Sequence, residues 1–166
     1  PSSHNSQPLA FIVGKNFIKI LIEETRKLPV GDSNDRQLFI SLGCAIENII
    51  TAADYYGYSA KVDFNCENNC IAIIRFAAMA TTSYSNHLIF SIPERLVNRS
   101  KYQDQPIGPG FLDLIKNQEN ENLKINIIKE DILKNKLADI ALAATAESMA
   151  NSAFRKELSR YVISNT

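Results

Sequence analysis

The chain has 166 residues with 18 basic and 18 acidic side chains, so it lacks the global positive field that attracts nucleic acid. Hydrophobic residues make up 45% and charged residues 22%, a balance typical of a globular protein rather than a disordered one. No apolar run approaches the about 20 residues of a membrane span, and no basic start precedes an apolar stretch, so we expect no membrane segment and no signal peptide.

The first half of the chain predicts two strand pairs separated by a long helix. Apolar runs bounded by turn residues predict strands over 9–13, 17–24, 58–64 and 70–79. Apolar residues at helical spacing predict a helix that is capped by Asn34 or Asp35 and ends at Tyr56. We interpret Glu47 and Asn48 in this helix as a solvated or capped polar face rather than as catalytic residues.

The second half of the chain is predicted to be mainly helical. Helices are expected over 88–96, 111–116, 131–149 and 153–162, and a strand over 123–128. Together with the two strand pairs, this pattern predicts an α+β fold with an antiparallel-rich central sheet packed by helices.

The three cysteines, Cys44, Cys66 and Cys70, are too few and too unevenly spaced to suggest a disulfide framework. They favour a reducing compartment, and we therefore expect a cytoplasmic location. A zinc site at Cys66 and Cys70 would need two further ligands, and the other Cys and His residues are distant in sequence. We expect no metal site, and free thiols that flank a turn.

Residues 1–8 hold short polar side chains between two prolines, Pro1 and Pro8. Proline fixes its own φ and disfavours helix at the residue before it. The hydroxyl and amide groups between the prolines, together with several backbone N–H groups that we expect to be unpaired, are hydrogen-bond donors. Two interpretations stay open. The segment is either a surface loop before a strand or a donor-rich loop that holds a flat, acceptor-rich ligand.

A second polar segment carries Arg95 and Arg99, followed by Lys101. Side chains four residues apart lie on one side of a helical turn, and guanidinium groups bind phosphate in a bidentate fashion. The alternative is a solvated basic helix end, where cations interact with the C-terminal carbonyl groups. The residues themselves do not separate these two interpretations.

Residues 1–8 also resemble the P-S-S-x-N-x-Q-P-W segment of the flavin-dependent nitroreductases. The matching positions are Pro1, Ser2, Ser3, Asn5, Gln7 and Pro8. Leu9 stands where that family usually has Trp. In the family this segment contacts the flavin isoalloxazine from the neighbouring subunit. The resemblance implies that the edge of bound FMN contacts Pro1, Ser2, Ser3, Asn5 and Gln7.

The segment from residue 95 is similar to the R-x-[ST]-x-[RK] arm of the same family, which binds the phosphate and ribityl chain of FMN. Arg95 and Arg99 occupy the two basic positions, Asn98 lies between them, and Val97 replaces the usual Ser or Thr. The resemblance implies that Arg95, Asn98 and Arg99 bind the cofactor.

The order of the two motifs resembles the Acg-like branch, in which one chain carries two nitroreductase-like halves. In ordinary nitroreductases the basic arm comes first, whereas here it follows the Pro1–Pro8 segment, with residues 25–29 and 35–38 lying between them. Residues 1–85 would then form most of the first half and residues 86–166 the beginning of the second. Because the sequence also starts without Met, we expect a fragment whose partner is a second copy or a missing half, as a homodimer or an internal pseudo-dimer.

The resemblance implies an FMN-dependent NAD(P)H oxidoreductase that reduces nitroaromatic or quinone-like acceptors. The flavin would carry the hydride chemistry, NAD(P)H would be the reductant, and the partner would be a small-molecule electron acceptor. This interpretation favours an enzyme. The alternatives are a non-catalytic flavin-binding or flavin-sequestering protein of the Acg type, and a flavin-free structural relic.

Overall fold

The computed structural model describes residues 2–64, 70–80, 87–98, 100–103 and 105–162. The chain divides into two compact units. The first comprises Pro1–Arg95 with Asn151–Thr166, and the second comprises Leu96–Ala150. The division into compact units does not test the expected boundary at residue 85 between two nitroreductase-like halves, and that boundary stays a prediction.

A four-stranded antiparallel sheet forms the centre of the first unit. Its strands are β1 (Leu9–Val13), β2 (Phe17–Ile22), β3 (Tyr58–Asp63) and β4 (Cys70–Ala78). They lie in the order β1-β2-β4-β3. The β1–β2 turn closes where the Gly14 N–H donates to the Phe17 carbonyl at 2.9 Å. The predicted α+β class and these four strands are confirmed, with β2 ending at Ile22 rather than Glu24.

Five helices are described. The first unit holds α1 (Arg36–Tyr55), α2 (Ser91–Glu94) and α5 (Ser152–Leu158), and the second holds α3 (Pro109–Lys116) and α4 (Asp131–Ala150). The helix predicted over 88–96 is a 3-10 turn at His87–Phe90 followed by the short α2. The helix predicted to end at residue 162 stops at Leu158.

The core of the first unit lies between α1 and the sheet. Ile20 of β2 pairs with Ala72 of β4, and both are fully buried together with Ile74. Leu42 and Ile46, one helical turn apart on α1, pack against them. Burying an Ile or Leu side chain stabilises a fold by about 1.5–3 kcal/mol, so this cluster holds the helix to the sheet.

Helix α1 is also 20 residues long and largely apolar, and an 18-residue window of it has a mean hydropathy of 1.3. Among the described residues it is the one helix that could cross a membrane by length and composition alone. No such segment was expected from the sequence. One helix of this kind is a weak indication, because the core helix of a soluble protein passes the same test.

The N-terminus of α1 is capped mainly by Asp32, which the sequence analysis missed. The buried Asp32 carboxylate accepts the Gln37 N–H at 2.9 Å and the Leu38 N–H at 2.8 Å. Asn34 Oδ1 accepts the first N–H of the helix at 3.2 Å, whereas Asp35 makes no capping bond. The prediction is therefore confirmed in part for Asn34 and wrong for Asp35. An acidic group at this end also interacts favourably with the helix dipole.

The strand predicted over 123–128 is wrong, because this segment has no regular structure. Ile125 N–H donates to Glu119 Oε1 at 2.9 Å, and the Leu123 N–H donates to Asn120 Oδ1 at 3.1 Å. Side chains from the preceding polar loop thus satisfy backbone groups that a strand would pair in a ladder.

The expectation of free cysteines is wrong in one case. Cys70 is disulfide-bonded, Cys44 is free, and Cys66 lies outside the described residues.

Candidate functional site

Residues 2–8, called the donor loop below, have an unusual backbone. His4, Asn5 and Gln7 have φ values of 52°, 56° and 52°. The left-handed region costs an L-residue about 1–2 kcal/mol, and residues held there cluster at ligand sites. The strained turn is therefore a reason to look for a site beside this loop.

Side chains of the donor loop alternate between inside and outside. Ser6 and Pro8 are buried, whereas Asn5 and Gln7 are exposed. The Asn5 N–H donates to the Ser2 carbonyl at 3.1 Å, and the Gln7 N–H donates to Ser2 Oγ at 2.8 Å. The expectation of unpaired backbone donors is wrong for these two amides. The donors that Asn5 and Gln7 present outward are their side-chain amides.

Ser2, Asn5 and Gln7 lie together along an open cleft of about 490 Å³, called the loop cleft below. This volume is within the range of about 300–1,000 Å³ that is typical of small-molecule sites. The remaining lining residues are Pro8, Leu9, Ala10, Phe11, Glu23, Arg26, Ser41, Ala45 and Asn48. The cleft therefore combines amide and hydroxyl groups with an apolar wall from β1.

One face of α1 forms another wall of the loop cleft. Ser41, Ala45 and Asn48 follow at the i, i+4 and i+7 spacing of a single helix face, next to the face that carries Leu42 and Ile46 into the core. Asn48 is half-buried in this wall, whereas Glu47 is exposed, and their interpretation as a solvated or capped polar face stays a prediction. The sequence signal that could have identified Asn48 as a lining residue is a polar side chain at this spacing on an otherwise apolar helix.

Two charged residues at the end of β2 complete the lining. Thr25 donates to Glu23 Oε1 through its hydroxyl at 2.6 Å and through its backbone N–H at 3.4 Å. The hydroxyl bond is the main cause that lowers the pKa of Glu23 below its ordinary value of 4.5, with smaller contributions from the backbone bond and from Arg26. Arg26 Nη1 donates to the Ser6 carbonyl at 3.4 Å, so the cleft holds one anion and one cation.

The other predicted site residues are Pro1, Ser3, Arg95, Asn98 and Arg99. Pro1 and Arg99 lie outside the described residues. Ser3 lines a separate pocket of about 10 Å³. Asn98, in the second unit, accepts the Ser100 N–H at 2.9 Å.

Arg95 follows α2 and is exposed. The turn that leads to it packs at the far end of α1, where the Phe90 and Tyr55 rings meet edge to face with centroids 5.4 Å apart. The structure thus brings Ser2, Asn5 and Gln7 together but not Arg95. Convergence of the two motifs on one cofactor stays a prediction.

The described part of the chain contains no group of three or more His, Cys, Asp and Glu side chains that could hold a metal ion.

Comparison with known proteins gives a distant similarity to nitroreductases. No protein-family model matches the chain. Over 118 residues it is 26% identical to two Mycobacterium tuberculosis proteins, named "Putative NAD(P)H nitroreductase Rv3131" in strain H37Rv and "Putative NAD(P)H nitroreductase MT3217" in strain CDC 1551. The match covers 69% of this chain and 34% of each relative, so the chain spans about a third of the length of the curated relatives that it matches. The similarity supports the resemblance to nitroreductases and does not test the Acg-like assignment.

Proposed function

We propose that this protein is an FMN-dependent NAD(P)H oxidoreductase of the nitroreductase type that acts on nitroaromatic or quinone-like acceptors. The observation that carries the proposal is the loop cleft, where a strained loop presents Ser2, Asn5 and Gln7 on one surface. These are three of the positions at which the sequence resembles the flavin-contacting segment of nitroreductases.

The chemistry of the loop cleft fits an isoalloxazine ring. The ring is flat and carries acceptor atoms and one N–H along its edge. Side-chain amides offer both donors and acceptors, so Asn5 and Gln7 can pair with either kind of ring atom. Pro8, Leu9 and Phe11 supply an apolar wall for the ring. The Glu23 carboxylate adds a strong acceptor, and its hydrogen bonds from Thr25 lower its pKa further below the ordinary value.

In this proposal the protein residues bind and orient the cofactor. Ser2, Asn5 and Gln7 hold the ring edge, where fixed donors stabilise negative charge without a titrating acid. Arg95 and Arg99 bind the phosphate by bidentate hydrogen bonds, with Asn98 beside them. Bound FMN supplies hydride transfer between NAD(P)H and the acceptor.

We further propose that each flavin lies between two nitroreductase-like halves. The chain that leads to Arg95 packs at the end of α1 away from the donor loop, which supports a site shared with a second copy or a second half. We place the protein in the cytoplasm, where NAD(P)H is available.

Visible absorbance of the purified protein, followed by NAD(P)H oxidation with a nitroaromatic or quinone acceptor, tests the proposal. We expect a yellow protein that turns over. A yellow protein without turnover would instead support the flavin-sequestering alternative. A colourless protein that takes up no added FMN would contradict flavin binding altogether.

A further inference from the structure

We propose that Glu157 of α5 is a positioning residue for the donor loop, an inference that rests on the proposed flavin site and extends it to a distant helix. Glu157 is 4% exposed, although it carries a carboxylate. A charged group is buried at a cost unless hydrogen bonds satisfy it. Its position therefore needs an explanation in terms of what it binds.

Glu157 binds the backbone of the loop that precedes α1. Its Oε2 atom accepts the Val30 N–H at 3.0 Å, and its Oε1 atom accepts the Gly31 N–H at 2.7 Å. Hydrogen bonds from backbone N–H groups to a carboxylate are among the stronger kinds in proteins. They tie the end of the chain to a segment that also supplies Asp32, the cap of α1.

The same helix meets the donor loop at Gly31. A Cβ atom placed there would lie 3.1 Å from Glu157 Oε1, 3.3 Å from Phe154 Cε2 and 3.6 Å from His4 Nε2. The Phe154 and His4 rings pack edge to face with centroids 5.7 Å apart. His4 is the left-handed residue immediately before Asn5. Glu157 thus holds Phe154 against His4, the residue that orients the proposed flavin contact Asn5.

A second connection reaches the donor loop through Arg26. Tyr161, which follows α5, donates its hydroxyl to the Arg26 carbonyl at 3.5 Å. The Arg26 guanidinium donates to the carbonyl of Ser6, which lies between Asn5 and Gln7. Both bonds are long, so we assign the main role to Glu157 and Phe154.

These contacts explain how an unfavourable backbone is kept in place. L-residues keep a left-handed backbone conformation only when several contacts from the surrounding structure hold them there. Removing the Glu157 carboxylate would leave the Val30 and Gly31 N–H groups unpaired and would release α5 from the loop. The donor loop would then sample other conformations while the sheet stays folded.

Hydrogen–deuterium exchange of the flavin-free protein tests the coupling without any cofactor. We compare wild type with Glu157→Ala, Glu157→Gln and a control, Ile74→Val, which weakens the core without touching α5. In Glu157→Ala we expect exchange to rise about 10-fold or more in segments 2–8 and 28–32 and to change less than about 2-fold in β2 and β4. Gln keeps one acceptor oxygen, so Glu157→Gln should lie between wild type and Glu157→Ala.

Two results would overturn the inference. Faster exchange confined to 28–32, with 2–8 unchanged, would show that Glu157 stabilises only the loop that it binds and not the donor loop. An equal rise in the donor loop and the sheet, as expected for Ile74→Val, would make it a general stability residue.

FMN titration then connects the coupling to the site. We expect Glu157→Ala to weaken FMN binding about 10-fold and to shift the visible band of the bound flavin, with Ile74→Val changing affinity less than about 2-fold. Equal affinities for wild type and Glu157→Ala would contradict the positioning role. If wild type binds no FMN, the proposed function fails, and the exchange experiment still decides whether α5 orders the donor loop.

Discussion

The donor loop and the arginine segment, residues 95–103, are the two parts of the proposed flavin site, and the structure holds them in different ways. The donor loop is tied down by bonds to Ser2, by Arg26 and by Phe154 of α5. Described residues of the arginine segment are exposed, with Leu96 89% exposed. In our proposal the first unit builds the ring-binding part by itself, whereas the phosphate-binding part takes its final position from the cofactor or from another half.

The largest expected effect concerns the core that supports the donor loop. Ile74→Ala removes a fully buried side chain and should lower the free energy of unfolding by about 2–5 kcal/mol. Leu96→Ala, in the exposed arginine segment, should change it by less than about 0.5 kcal/mol. Urea denaturation followed by circular dichroism measures both variants. Equal losses would show that the arginine segment is packed as tightly as the core.

The next effect concerns the arginine segment itself. Arg99→Ala should weaken FMN binding by about 1.5–3 kcal/mol, because a hydrogen bond to a charged group is lost. The free energy of unfolding should not change, because the described residues on either side of Arg99 are exposed. Flavin-fluorescence titration measures the affinity, with Lys116→Ala as a cationic control at the end of α3. An Arg99→Ala variant with wild-type affinity would remove this residue from the site.

A smaller effect concerns the cap that joins the loop before α1 to the helix. Asp32→Ala leaves the Gln37 and Leu38 N–H groups without their acceptor and should cost about 1–2 kcal/mol of stability. Asp35→Gly removes only a partly exposed ion pair with Lys27 at 2.8 Å, because glycine is compatible with the φ of 56° at this position, and should cost at most about 1 kcal/mol. Thermal unfolding distinguishes the two variants. A larger loss for Asp35→Gly would restore the cap that the sequence suggested.

The fold was largely predictable because its elements follow local patterns. Strand β1 has the bounds that its apolar run predicts, and α1 follows its apolar stripe. The strand expected over 123–128 does not form, because an apolar run without a neighbouring strand has no partner for its backbone hydrogen bonds. In its place, Asn120 and Glu119 bind the backbone.

Residues of the candidate site could be predicted only where they belong to a recognisable sequence motif. Ser2, Asn5 and Gln7 were identified from the resemblance, and they share the loop cleft. Glu23 reaches the cleft through tertiary folding, which no local pattern encodes, whereas Asn48 was marked in the sequence only as a polar residue on a largely apolar helix. The bonds of Glu157 join residues 126 and 127 positions apart, so no window of sequence reveals them.

The smallest expected effect is the pH response of Glu23. Its lowered pKa means that it contributes stability above its ordinary pKa of 4.5, and this contribution is lost as the pH falls through the lowered value of the folded state. Thr25→Ala removes the 2.6 Å hydroxyl bond and should move the pKa back towards 4.5. Carboxyl ¹³C NMR titration measures the shift, and an unchanged pKa would exclude Thr25 as its main cause.

FMN titration of wild type, Asn5→Gly and Asn16→Gly tests the central claim most directly, because both substitutions remove the same amide from the first unit and only Asn5 lines the loop cleft. Glycine is compatible with the φ of 56° at position 5, so the substitution does not strain the donor loop. We predict saturable binding by wild type, a loss of about 1–1.5 kcal/mol in affinity for Asn5→Gly, and wild-type affinity for Asn16→Gly. Absence of saturable binding, or equal affinity of all three proteins, would contradict a flavin site at the donor loop.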